Sequence, residues 1–490
     1  MPYSRFREEY LALLNAIKAK SPKPDLKLVK KAFLFSFQAH KSQKRLSGEQ
    51  FFTHPLDTAL RLADWGMDSE TIAAGLLHDC LEDTETSEQN LKRKFGPGVL
   101  ELVKGVSKLA IIASKTRKSQ KRVEDLEKLL LAASKDLRVL IIKLADKIHN
   151  LQTLHHLPRP DRERIALEAL TVYAPLAHKL SMHRVKFEIE DLAFKTLHPE
   201  RFEELKKLAN SKKRLLEKHS GILQAKLKAE CSKAGIPVMF SKSLKSTFAM
   251  DQKCQHTGKE PMEIEDFLII YILTTTPENC YSILGKLHSL FKPVPGKFKD
   301  FIAVPEHGLY QALHTKVIGP NGQKVKCYIS TFEMLETANY GIICFFRNPG
   351  MKNKKLLHEK LEWLQSFLKP SLLKDRKFFM EVLDLELKRD ITVFTPKGDP
   401  IVLPFGSTSI DFAYSIHTTL GNHCWKSVVN GKEQSIEKAL NAGETVRIIG
   451  SEKPRLRQEW LSLLKSPRAI VALKKGLKNQ NASNNKRVHS

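Results

Sequence analysis

The chain reads as three folded modules in series: all-helical, then α/β, then a small β-grasp-like module. Three observations predict that order. From Leu26 to about Leu197 nearly every apolar run repeats with helical periodicity and no alternating strand interrupts it. The pattern changes at EDFLIIYILTT (Glu265–Thr275), which is rich in β-formers. It changes again at Asp390, where DITVFTPKGDPIVLPFGST reads as a hairpin through Lys397-Gly398-Asp399. A length of 490 residues suits about three domains, and 42% hydrophobic residues is enough to build their cores.

Taken in order, residues 1–20 form a charged amphipathic helix rather than a signal peptide, and SPKPD (Ser21–Asp25) breaks it from the next. TIAAGLLHDCLEDT (Thr71–Thr84) continues as one helix capped by Asp68 or Ser69, with Ile72, Ala73, Leu76 and Leu77 facing the core. SKTRKSQKR (Ser114–Arg122) reads as a basic surface loop, either a plain connection or a lip that attracts phosphates. Ser134–Leu154 is a core helix through Leu137, Leu140, Ile141, Leu144, Ile148 and Leu151. Pro199–Gly235 is a charged stretch expected to form a connecting helix pair. In the α/β module, Cys280–Phe291 is a helix, and HTKVIGP and KVKCYIST are strands joined by Asn321-Gly322. IDFAYSIHTTLG, KSVVNGK and TVRIIG complete the last module, and the basic, then Asn-rich, tail beyond Ser466 is expected to end in disorder.

Composition narrows the function. No apolar run approaches the roughly 20 residues a bilayer span needs. The seven cysteines are scattered without a CxxC pair, which fits reduced thiols in a cytoplasm better than a disulfide framework. A formal charge of +27 implies an anionic partner such as nucleotide, RNA or ribosome, although the even spread of lysines also fits a generally basic surface.

The chemistry concentrates in three stretches. At helical spacing Asp79, Glu82 and Asp83 share a face, and His78 sits one turn before Glu82. Solvated acids at a helix end are the plain reading. Yet carboxylates repel one another, and a helix C-terminus disfavours negative charge, so a bound cation would relieve both. Asp146, His149, Asn150 and Thr153 form one polar stripe on the Ser134–Leu154 helix. His54, in GEQFFTHP, precedes a proline that can begin a helix. His54, His78, Asp79 and Asp146 would make a mixed N/O site suited to Mn²⁺, Fe or Zn²⁺.

The order H…HD…D is that of the HD phosphohydrolase superfamily. RLSGEQFFTHP, GLLHDCLEDT, FGPGVLELVKGVSKL, KLADKIHNLQTL and YAPLAHKL together resemble the hydrolase domain of the RelA/SpoT-homologue family, which makes and destroys the alarmone (p)ppGpp. The resemblance implies that His54, His78, Asp79 and Asp146 hold Mn²⁺. It makes Glu82 and Asp83 the pair that activates water, and assigns guanine and nucleoside contacts to Arg45, Ser47, Asn150 and Thr153. Leu46 stands where the commonest family pattern has a basic residue.

PGKFKDFIAVP, LYQALHTKVIGPNG and TFEMLETANYG resemble the family's pyrophosphotransferase domain, with Asp266 on its magnesium aspartate and Tyr310 on its guanine-stacking tyrosine. The rest departs. Where the family has EIQIRT this chain has KCYIST, so Lys326 replaces the metal-binding glutamate, Tyr328 the glutamine and Ser330 the arginine. Tyr271 replaces an arginine, Phe240 and Ser241 replace Arg-Pro, leaving Lys242 and Ser246, and Gly308-Leu309 replaces Asn-Gly. The expectation is a pseudo-synthetase. FTPKGDPIVLPFGSTSIDFAYSIHTTLG resembles the family's TGS domain, whose histidine at the position of His417 implies contact with tRNA or the ribosome; an ordinary helix-face role fits His417 equally.

The resemblance thus divides the chain into an all-α HD hydrolase domain at 1–200, a helical linker at 201–235, a degenerate α/β synthetase-like domain at 236–350, a helical connector at 351–389, a β-grasp TGS domain at 390–452 and a basic tail at 453–490. It implies a cytoplasmic, Mn²⁺-dependent 3′-pyrophosphohydrolase of (p)ppGpp with no membrane partner. An HD nucleotidase for another purine nucleotide, or a ribosome- or RNA-binding regulator, are the alternatives.

Overall fold

The computed structural model describes residues 6–21, 23–107, 118–263, 268–304, 310–347, 361–362, 365 and 390–488. Asp266, Gly308-Leu309, most of the 351–389 connector and the first part of the Ser114–Arg122 stretch lie outside these. The contacts divide the chain into two units, 1–365 and 366–490.

The first unit begins with helices α1 (Arg7–Lys20), α2 (Leu26–Ala39), α3 (Thr53–Asp64), α4 (Ser69–Leu77), the single turn α5 (Cys80–Asp83) and α6 (Glu88–Ser107). It continues with α7 (Lys118–Ala133), α8 (Arg138–Gln152), α9 (Arg159–Glu168), a π-helical turn at Ala169–Tyr173, α10 (Ala174–Lys179) and α11 (His183–Leu197). Helix α8 is the axis: Leu140, Ile141, Leu144, Ala145 and Ile148 are fully buried against its neighbours. Asp68 caps α4, its Oδ1 accepting from Thr71 N at 2.9 Å, while Ser69 Oγ instead accepts from Asp25 N.

The sequence reading needs two corrections here. The expected continuous helix to Thr84 stops at Leu77, and His78-Asp79 form a turn before α5. Both residues keep right-handed helical angles, His78 at φ −60°, ψ −31° and Asp79 at φ −92°, ψ −8°, so the turn joins α4 to α5 with little change of direction. The basic stretch is also not loop throughout, since α7 begins at Lys118.

Helix α12 (Pro199–Lys233) is a third correction: one 35-residue helix stands where a pair was expected. At 1.5 Å per residue it runs about 52 Å. It joins two cores, with Phe202 and Leu205 on Phe194, and Leu223, Leu227 and Cys231 on the sheet that follows. Packing at both ends offsets the roughly 1 kcal/mol that Gly221 costs inside a helix.

That sheet comprises β1 (Met239–Leu244), β2 (Leu268–Thr274), β3 (Lys299–Asp300), β4 (Leu313–Ile318) and β5 (Lys324–Thr331), in the order β1-β2-β5-β4-β3. Strands β2 and β5 run parallel and the other pairs antiparallel. Helices α13 (Thr247–Thr257), α14 (Pro277–Leu290), α15 (Phe332–Tyr340) and α16 (Ile343–Arg347) complete it. The β4–β5 connection is the expected hairpin, closed through Pro320–Gly322 with Gly322 at φ +72°.

A tight seam joins this α/β layer to the helical layer. Ile342 N donates to Leu180 O at 3.1 Å, Arg184 Nη1 to Tyr340 Oη at 2.7 Å and Arg347 Nε to Trp65 O at 2.6 Å. Gly341 is obligatory by space: a Cβ there would lie 2.2 Å from Leu180 O.

The second unit carries a hairpin of β6 (Asp390–Phe394) and β7 (Pro400–Pro404), and a sheet β10 (Val446–Gly450)–β8 (Cys424–Val429)–β9 (Lys432–Gln434). A parallel bridge from Phe394 to Thr445 sets the hairpin beside the sheet, and a helix at Ser409–Ile416 packs over them, which is the β-grasp layout. His417 closes that helix and its Nδ1 accepts from Thr419 N, so it caps the next helix, Thr418–Asn422. The tail is a fourth correction: Pro467–Val488 is helical, because Ala469, Ile470 and Leu473 bury against Tyr414 and Trp460.

Candidate metal and nucleotide centre

His54 enters on the first turn of α3, His78 and Asp79 from the α4–α5 break, and Asp146 from the middle of α8. Each ring has one nitrogen committed away from the centre. His78 Nδ1 donates to Gly75 O at 2.8 Å, which leaves Nε2 bare. His54 Nδ1 faces His149 Nδ1 at 2.8 Å, and Arg45 Nη1 donates to the same His149 nitrogen at 3.0 Å. Because a guanidinium can only donate, that His149 nitrogen is an acceptor; His54 therefore donates from Nδ1 and presents a bare Nε2. Burial, then the neighbouring His54 and Arg45, holds the His149 pKa down at about 3, consistent with a neutral ring.

The two bare Nε2 atoms stand 3.2 Å apart. Asp79 approaches them at 3.4 Å from His54 and 3.2 Å from His78, and Asp146 Oδ1 lies 3.1 Å from His54 Nε2. Ligand atoms of His54, His78 and Asp146 all fall within 4.8 Å of one another. Lone pairs and carboxylates converging on a buried point repel unless a cation sits among them. Two imidazoles and two carboxylates fit a first-row divalent metal.

Glu82 and Asp83 follow on α5. Burial pushes the Glu82 pKa up to about 8 against the pull of Lys143, and burial also raises that of the more exposed Asp83. The side-chain amide of Gln43 donates to Asp83 O and so anchors α5 to the end of α2. The sequence-predicted nucleoside contacts converge too. Arg45, Ser47, Asn150 and Thr153 line one cavity of about 350 Å³, with Phe51 and Leu154 among its walls. Arg45 Nη2 reaches Asn150 Oδ1 and Thr153 Oγ1, both at 3.4 Å. Asn150 belongs to both sites, since its Nδ2 donates to Asp146 Oδ1 at 2.6 Å. Leu46 stands at the rim, 79% exposed.

Two residues of the centre received no role from the sequence. His149 lies in the polar stripe of the Ser134–Leu154 helix, but nothing local marks it as the acceptor behind His54. Lys143 Nζ sits 2.8 Å from Asp146 Oδ2 with its side chain 15% exposed. A lysine inside the apolar run LIIKLAD, one turn before an aspartate, was the available signal.

The second candidate pocket, about 1010 Å³, lies between the α/β sheet and α11. Tyr271 and Tyr328 are register partners on β2 and β5, and Tyr328 stacks on His314 with centroids 3.6 Å apart. Lys326 Nζ lies 4.9 Å from the Tyr328 ring, and Tyr310 Oη is 2.6 Å from His314 Nε2. Among the described residues its only carboxylates, Glu188 and Asp191, come from α11. Both are engaged, Glu188 with Arg61 and Asp191 with Phe248 N.

An all-helical domain with this cluster is an HD domain, and that family's profile matches residues 32–183. The region found in RelA / SpoT proteins matches 242–347 and the TGS domain matches 391–450. A bifunctional (p)ppGpp synthase/hydrolase, SpoT, of Escherichia coli strain K12 is 35% identical over 96% of this chain and 67% of its own length. The chain therefore belongs to the RelA/SpoT family. A guanosine-3′,5′-bis(diphosphate) 3′-pyrophosphohydrolase of Aquifex aeolicus is 40% identical over 92% of this chain. A GTP pyrophosphokinase of Myxococcus xanthus is 37% identical over 94% of it. This chain spans 65% and 61% of the lengths of those two relatives. No helix among the described residues is long and apolar enough to cross a membrane.

Proposed function

We propose that the chain hydrolyses the 3′-pyrophosphate of (p)ppGpp, giving GDP or GTP and pyrophosphate, and that its α/β domain is a pseudo-synthetase. Relatives bear the names of hydrolases, synthetases and bifunctional enzymes, so the choice rests on the residues here. One observation carries it: the two-histidine, two-aspartate cluster shares Asn150 with a cavity lined by Arg45, Ser47 and Thr153.

His54, His78, Asp79 and Asp146 would hold Mn²⁺, which supplies a Lewis acid for the pyrophosphate and a lowered pKa for water. Arg45, Ser47, Asn150 and Thr153 hold the nucleoside, so the 3′ substituent faces the acids. Water's oxygen bonds to the phosphorus nearest the ribose as the bond from that phosphorus to O3′ breaks. Glu82, with Asp83 beside it, accepts the water's proton, and O3′ leaves with a proton from solvent. The half-buried setting that raises the Glu82 pKa also makes it a stronger base once ionised.

Lys326 is the main obstacle to synthesis. A cation in place of a carboxylate changes the local charge by two units and repels the metal a triphosphate donor needs. The His314–Tyr328 stack fills the sheet face with rings, and the nearby acids are committed elsewhere. All seven cysteines are free and buried, which supports a reducing cytoplasm. Contact of the TGS domain with tRNA or ribosomes is a separate proposal, tested by salt-sensitive ribosome pelleting.

Purified protein incubated with ppGpp, with and without Mn²⁺, should yield GDP and pyrophosphate on chromatography only when the metal is present. Intact ppGpp in both arms would overturn the hydrolase reading.

A further inference from the structure

Asp146 is the deepest acid of the metal cluster, and its two oxygens have different neighbours. Oδ1 faces the centre, near His54 Nε2, and accepts from Asn150. Oδ2 faces the other way and meets Lys143 Nζ at 2.8 Å, one helical turn back on α8. Lys143 cannot easily leave. Its side chain is 15% exposed and that of Asp146 4%. Tyr173, from the π-helical turn before α10, is buried near enough to act electrostatically on Lys143, and its ring lies 4.9 Å from Lys147 Nζ.

We infer that Lys143 is a positioning residue that reserves Oδ2 of Asp146, so that the carboxylate can offer a metal only Oδ1. A carboxylate can chelate a cation with both oxygens or bind through one. Chelation would use a coordination position that the proposed hydrolysis needs for water. An oxygen buried without a donor is costly, so once Lys143 is gone, Oδ2 would turn to the nearest positive charge, the metal. Lys143 thereby keeps the site open rather than merely neutral. The inference rests on the hydrolase reading for its consequence in turnover, but not for its prediction about the metal.

The test uses the full chain and Mn²⁺ as the probe, comparing wild type with Lys143→Met, which keeps length and removes the donor. Mn²⁺ affinity is read by calorimetry and the exchangeable water on bound Mn²⁺ by water-proton relaxation enhancement. Wild type should show strong enhancement. Lys143→Met should bind Mn²⁺ within about threefold of wild type yet show clearly less enhancement. Its kcat for ppGpp should fall on the order of 10²-fold, the scale of a small misplacement, with KM nearly unchanged. Equal enhancement in the two proteins, or loss of Mn²⁺ binding in parallel with rate, would overturn the inference. Weak enhancement in wild type would do so even if the variant failed to fold. If wild type shows no ppGpp turnover, the hydrolase reading fails, while the relaxation comparison still decides the role of Lys143.

Discussion

Two pockets in the first unit present different groups to their centres. In the helical layer, two aspartates and two bare imidazole nitrogens converge; of the cations nearby, Lys143 pairs with Asp146 and Arg45 bonds His149, the ring behind His54. In the α/β layer Lys326 stands on the sheet beside a stack of aromatic rings, where the proposed reading has a lost acid. The difference lies less in how many charged groups surround a pocket than in which of them faces its centre. Cations behind an acid orient it. A cation in place of an acid would, on the proposed reading, disfavour a metal.

The largest effect that could break this contrast belongs to the ligands. Asp79→Ala or Asp146→Ala should abolish ppGpp hydrolysis and Mn²⁺ binding together, read by chromatography and calorimetry; full turnover in either would refute the site. Glu82→Gln comes next. It should keep Mn²⁺ and lose roughly 10²–10⁴-fold in kcat, as for a lost acid/base group. The sign with pH follows from the raised pKa. A base must be ionised, so wild-type kcat should rise with pH through the range below about 8, and this limb should vanish in Glu82→Gln. A bound cation will move the midpoint lower.

Arg45→Ala should act more weakly and on a different parameter. Its guanidinium contacts the cavity walls in the ground state, so KM for ppGpp should rise about tenfold, ~1.4 kcal/mol, with kcat changing less. A pure kcat effect would place Arg45 on the phosphates. The smallest expected effect is none. In an Asp79→Ala background, which cannot destroy product, labelled ATP with GDP or GTP should give no alarmone with Mg²⁺ or Mn²⁺. Adding Lys326→Glu should not restore synthesis, because Tyr271, Ser330 and Phe240 also stand where phosphate-gripping residues would. Product in either protein would end the contrast between the pockets.

Much of this was legible in the chain. Helical periodicity from Leu26 to Leu197 and the hairpins at Asn321-Gly322 and Gly398 are local signals, and the structure follows them. The side chains that converge at the candidate metal centre stood out in the sequence because polar residues inside apolar helices need a reason to be there. Features that depend on distant packing did not. The turn at His78-Asp79 leaves the apolar pattern of α4 intact, so periodicity runs straight through it. The unbroken α12 depends on two cores about 50 Å of helix apart, at a rise of 1.5 Å per residue. The tail helix is set by three small or aliphatic residues in a composition dominated by Lys and Asn. The second sequence contact of His54, through His149 to Arg45, spans 104 positions.

The seam between the layers carries a consequence for which positions can change. Gly341 and Gly66, both at positive φ, have little latitude: a methyl group would lie 2.2 Å from a backbone oxygen at the first, and 2.4 Å from Arg347 Nε at the second. Arg347 in turn hangs from the Trp65 carbonyl, at the foot of the helix that carries His54. Substitution at this seam would therefore disturb the helical layer as well as the α/β layer, whatever chemistry the α/β pocket performs. The two layers are built against one another.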